Sequence, residues 1–84
     1  MEEAKAVSLK YTEDLPAPFV SARGRGILAK RLLEIADSTG VPVRRDDILT
    51  EVLFQMDVGS FIPEELYEII ARLYTFVVEI QDEI

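Results

Sequence analysis

The chain has no histidine and no cysteine. Nucleophile–histidine pairs, thiolate chemistry and the common zinc sites therefore lack their donors. Sixteen acids against nine bases invite instead a carboxylate pair doing general acid–base work. Asp46-Asp47, Glu64-Glu65 and Asp82-Glu83 are adjacent pairs. The first two fall at the starts of expected helices, where the positive end of the helix dipole favours acids. The third belongs to a solvated tail. No run has the alternating acids and central glycine of a calcium loop. We expect no catalytic residue, no metal ligand and no cofactor.

One stretch is basic: Arg23-Gly24-Arg25-Gly26, followed by Lys30 and Arg31. Glycines and cations ahead of a helix can cradle a phosphate. The pattern is neither Gly-x-Gly-x-x-Gly nor a Walker loop, and a turn with solvated charges accounts for it more simply. Arg44-Arg45 beside Asp46-Asp47 reads likewise as a charged surface loop. A formal net charge of −7 argues against a nucleic-acid backbone as partner. What is left is surface for binding another protein.

The elements that would position such a surface follow from periodicity. In Ala6–Tyr11, Val7, Leu9 and Tyr11 alternate with Ser8 and Lys10, as in a strand with one buried face. Pro16 and Pro18 break the pattern. Phe19–Ala22 is a second short strand, ended by Gly24 and Gly26. Ile27–Thr39 reads as a helix with a broad apolar stripe of Ile27, Leu28, Leu32, Leu33, Ile35 and Ala36. Gly40 stands at the C′ position. Val41-Pro42-Val43 then reads as a third strand, making Phe19–Val43 a right-handed βαβ unit. Asp46 or Asp47 caps the next helix, through Ile48, Leu49, Val52, Leu53 and Met56. Asp57–Ile62 is a connector broken at Gly59. Pro63 suits the first position of a last helix that carries Leu66, Ile69, Ile70, Leu73, Phe76, Val77 and Ile80. The expected fold is α/β: a small mixed, mostly parallel sheet of three visible strands, flanked by three main helices.

Eighty-four residues, 49% hydrophobic and 30% charged, fit one small domain over 1–84, near the lower end of what folds alone. No apolar run approaches the roughly 20 residues of a membrane span. The acidic first residues lack the apolar stretch of a signal peptide. A cytoplasmic location is the expectation.

Three groups of residues, in this order and spacing, carry a resemblance. The first is Ala6–Tyr11 with Ala17-Pro18-Phe19-Val20-Ser21-Ala22-Arg23-Gly24. The second is Leu28-Ala29-Lys30-Arg31-Leu32-Leu33-Glu34-Ile35-Ala36 with Gly40-Val41-Pro42-Val43. The third is Val58-Gly59 with Ile62-Pro63-Glu64-Glu65-Leu66-Tyr67. Together they resemble the C-terminal cytoplasmic domain of the FlhB/YscU family of type III export-gate proteins. Two places depart from its pattern. The loop Thr12–Pro16 is about one residue short, and Asp46-Asp47 replace two prolines at the start of the second helix.

The resemblance implies a function and a site. In that family an Asn-Pro-Thr-His segment directly precedes the first strand and cuts its own backbone. The Asn amide attacks its own main-chain carbonyl. Here Met1, Glu2, Glu3 and Ala4 stand in its place, and Met1 has no such amide, so this route is closed. Either the chain is a stand-alone paralogue made as the C-terminal half, or it was trimmed at that point. Glu2, Glu3 and Ala4 favour the paralogue, because trimming would leave Pro-Thr-His. The resemblance further implies a non-enzymatic component of flagellar or type III protein export. Its partners would be export substrates and export-gate components, and it could substitute for the C-terminal half of FlhB. A regulatory protein-binding module that has left the export role is the alternative. The family's apolar contact patch maps by motif onto Ala17, Pro18, Ala71 and Tyr74. The spacing of Ala71 and Tyr74 puts both on one helix face. Oligomeric state is left open.

Overall fold

The computed structural model describes residues 4–72. Its element order is β1 (Lys5–Lys10), β2 (Phe19–Arg25), α1 (Ile27–Thr39), α2 (Asp47–Phe54) and a single 3-10 turn over Glu64–Leu66. That turn runs straight into an α-helix, α3, described over 67–72.

The sheet corrects the expectation. It has two strands, β1 and β2, paired antiparallel from Lys5↔Arg25 to Lys10↔Phe19. It is neither three-stranded nor mostly parallel. Consecutive strands joined by a short connection without a helix can only return antiparallel, since a parallel pair needs a crossover of a dozen residues or more. The register skips between Ser8 and Leu9, leaving Ser21 without a partner position. Its hydroxyl donates instead to the Ser8 carbonyl and hydroxyl oxygens, at 3.1 and 2.9 Å.

The expected third strand, Val41–Val43, is irregular, and with it the βαβ unit is lost. The reason lies at the end of α1. Gly40 adopts the left-handed conformation, φ 75°. Its N–H then reaches the Asp37 carbonyl, and the Val41 N–H reaches that of Ala36. This pair of bonds is the Schellman motif. Val41's donor is thereby used on the helix, and Pro42 has none, so the segment cannot supply a ladder.

The far half of the sheet is completed differently. Val20 N–H donates to Ser60 O at 2.9 Å, Gly59 N–H to Val20 O at 2.7 Å, and Ile62 N–H to Pro18 O at 2.9 Å. Phe19 and Phe61 form an isolated antiparallel bridge, with their rings edge-to-face at 6.4 Å. The stretch expected as a plain connector is thus stitched to the start of β2. Gly59, at φ 93°, makes the turn that allows it.

The core cluster joins Ala17, Leu49, Leu53, Ile62 and Ile70, with Val7, Leu9, Met56 and Leu66 packed against it. Val7 and Leu9 are on the inner face of β1, as their alternation predicts. Asp46 caps α2 through Leu49 N–H at 3.0 Å. At the other end of α2, Arg23 donates from Nη1 to the Phe54 and Met56 carbonyls, at 2.7 and 2.6 Å. The Phe54 carbonyl is an orphan acceptor of the helix end, and Met56 lies just past the C-cap.

Two further expectations shift. β2 passes through Gly24 and ends at Arg25, with Gly26 (φ 61°) as the turn. Gly24 serves close approach: a Cβ built on it would lie 2.7 Å from Leu28 Cβ. α1 therefore sits directly on β2 and buries only Ala29, whereas Ile27, Leu28, Leu33 and Ile35 of its stripe are exposed. A two-stranded sheet is too narrow to cover that stripe. Pro63, finally, is extended (ψ 154°) and precedes the turn it was expected to open.

Candidate functional site

The segment after β1 and the start of α3 meet around one cleft of about 360 Å³. Its floor is Ala17, Ile62 and Ile70, all buried and all members of the core cluster. Pro18 stands beside Ala17, held there by the hydrogen bond from Ile62 N–H to its carbonyl. The rim is Tyr11, Pro16, Tyr67 and Ala71, each exposed.

Local sequence explains each wall. Pro16 and Pro18 hold the approach to β2 extended, since the residue before a proline avoids the helical region. A short turn, closed by Leu15 N–H on Thr12 O at 3.0 Å, brings the chain from Tyr11 back over the core. On the facing side, Tyr67, Ile70 and Ala71 recur at three- and four-residue spacing and share one face of α3. Ile70 turns inward at 1% exposure, which leaves Tyr67 and Ala71 at the surface.

Three of the four residues expected in the contact patch line this cleft: Ala17, Pro18 and Ala71. The fourth, Tyr74, lies outside the described residues. Ala17 is floor rather than surface, at 4% exposure. Tyr11, Pro16, Ile62, Tyr67 and Ile70 were not singled out from the sequence. Tyr67 and Ile70 could have been, because with Ala71 and Tyr74 they repeat at helical spacing. Tyr11 and Pro16 belong to a loop, where no periodicity marks a shared wall.

The cleft is apolar but its neighbours along the chain are acidic. Glu13 and Asp14 lie between Tyr11 and Pro16, and Glu64, Glu65 and Glu68 between Ile62 and Ile70; all five are exposed. The Thr12 hydroxyl, 2.5 Å from Asp14 Oδ1, together with a backbone hydrogen bond holds that carboxyl below the usual range. Glu68 meets Arg72 at 2.8 Å.

The other sequence candidates resolve into structure. Arg23 of the basic stretch is directed at the end of α2, and its guanidinium lies 5.6 Å from the Phe54 ring centre, with Lys5 at 5.3 Å. The N–H of Gly26 donates to Ala4 O at 2.7 Å. Asp46 is a helix cap, Asp47 meets Arg45 at 3.4 Å, and Glu64-Glu65 open the 3-10 turn.

The profile of the FlhB HrpN YscU SpaS family matches residues 4–77. The chain belongs to that family. It is 36% identical over 81 residues to the Bacillus subtilis protein YlqH, covering 95% of this chain and 87% of YlqH. It is 35% identical over 74 residues to the flagellar biosynthetic protein FlhB of Aquifex aeolicus, covering 86% of this chain and 21% of that protein. The chain thus spans about a fifth of the FlhB relatives. Among solved structures, a mutated EscU C-terminal domain superposes with a TM-score of 0.84 at 28% identity, covering 88% of this chain and 92% of the other. The PscU C-terminal domain gives 0.80 at 27%, covering 87% and 95%. The expected kinship with the C-terminal domains of this family is thereby shown. Among the described residues no helix is long and apolar enough to cross a membrane.

Proposed function

We propose that the chain is a non-enzymatic, cytoplasmic docking domain of a flagellar or related type III export apparatus. In this reading the cleft between the Pro16–Pro18 segment and α3 seats part of an export substrate or of an export-gate protein. In that role the chain substitutes for the C-terminal half of FlhB. One observation supports this reading above the others. Ala17, Pro18 and Ala71 are distant in sequence, yet they line one apolar cleft with aromatic walls at Tyr11 and Tyr67. Pockets of this size and lining are the usual form of a binding site.

The test is Ala71→Asp. A carboxylate forced into an apolar interface costs several kcal/mol unless it finds a partner. At an exposed helix position the same change costs only about 0.5–1 kcal/mol through propensity. Binding of purified export substrates and gate fragments, measured by calorimetry beside thermal melting, should be lost while the fold persists. Unchanged binding by an intact variant would remove the cleft from the mechanism.

A further inference from the structure

Resting on that docking reading, we infer that the cleft selects for charge. Its occupant is a protein segment with an apolar centre flanked by lysine or arginine. The argument is the chemistry of the two segments that build the cleft. Residues 10–18 and 62–72 carry Glu13, Asp14, Glu64, Glu65 and Glu68 against Lys10 and Arg72 alone. Arg72 is already engaged by Glu68. An apolar floor set between segments that carry five exposed carboxylates disfavours an acidic segment and favours a basic one, and like charges brought together at an interface oppose the wrong partner. The same local charge disfavours anionic lipid and nucleic acid. A second copy of the chain, at a net charge of −7, is disfavoured as a whole. Among the described residues its matching features are exposed Ile27 and Leu28 between Arg25 and Lys30-Arg31, and exposed Val41 and Val43 ahead of Arg44-Arg45.

The experiment uses three synthetic peptides with one shared apolar centre and flanks of lysine, serine or glutamate. Each is titrated into isotope-labelled protein while the amide resonances of Ala17 and Ala71 are followed. At low salt the lysine-flanked peptide should bind about tenfold tighter than the glutamate-flanked one, as a few exposed ion pairs allow. At 1 M salt, where the screening length is about 3 Å, the difference should shrink to about twofold. Glu65→Lys should narrow the preference. So should Glu13→Lys, which lies in a loop and spares the helix start.

Equal affinities for all three peptides, with shifts at Ala17 and Ala71, would overturn the charge selection and leave the docking reading intact. Shifts at neither residue with any peptide would remove the cleft as a docking site, and the inference with it. Concentration-dependent association in sedimentation that shifts the same two resonances would make a second copy the occupant, and would also overturn it.

Discussion

Gly24→Ala probes the contact that sets α1 on the sheet. Gly24 is buried in β2, and its φ is not in the left-handed region, so backbone strain does not enter. Conformational entropy alone would make alanine stabilising by about 0.5–1 kcal/mol. Sterics oppose this. The new Cβ would meet Leu28 Cβ at 2.7 Å, the Leu28 carbonyl carbon at 3.0 Å and Ala29 N at 3.2 Å. Carbon pairs rest at about 3.5–4.0 Å, so α1 would have to back away by roughly an ångström. Two of the three neighbours are backbone atoms, and no rotamer change relieves them. Overpacking of this kind costs about 1–3 kcal/mol.

The steric effect therefore wins, by about 1–2 kcal/mol. For a chain of this size that lowers the melting temperature by about 5–15 °C. Urea denaturation is the assay, with an unchanged m-value as the sign that the denatured state is the same. Gly40→Ala is the contrast: it meets nothing within 4 Å but sits at φ 75°, so its cost is purely conformational. No residue of α1 lines the cleft, and folded Gly24→Ala should bind peptide as the parent does. A variant as stable as the parent, or more so, would refute the close approach of β2 and α1.

Two more outcomes are open to direct measurement. Arg23→Met should cost about 1–2 kcal/mol, because it strips the Phe54 and Met56 carbonyls of a charged donor, and Arg23→Lys should recover part of that in thermal melts. The purified chain should keep its mass during long incubation at neutral and mildly alkaline pH, since it contains no asparagine to cyclise; a clean break between Met1 and Lys10 in mass spectrometry would overturn this.

Punctuation was legible in the sequence, whereas lateral pairing was not. Gly26 and Gly40 bracket α1 where glycine's freedom is needed, and Asp46 starts α2 because its side chain can take the Leu49 N–H. These are local events decided by one or two residues. Val41–Val43 failed as a strand through a local competition, since the Schellman cap takes Val41's N–H. The pairing of β2 with residues 59–62 could not be read, because neither Gly59 nor Ser60 has strand character and the bonds are all backbone. For the cleft, resemblance supplied Ala17, Pro18 and Ala71. Helical spacing held Tyr67 and Ile70 in plain view, but Tyr11 and Pro16 depend on how a loop folds over the core.

The floor of the cleft and the core are the same residues. Ala17, Ile62 and Ile70 pack with Leu49 and Leu53 on one side and face the cleft on the other. The docking surface is thus the place where the core runs out of covering chain, between two segments that prolines and a 3-10 turn keep apart. Any substitution at the floor changes folding and binding together, as removal of buried side-chain volume does generally. Loss of function there would not separate the two. Only rim positions can. Ala71 and Tyr67 reach the cleft from the exposed face of α3, and Glu13 and Glu65 are exposed on the two segments that build it, outside the core. At those positions a change in binding with an unchanged melting temperature reports on docking alone.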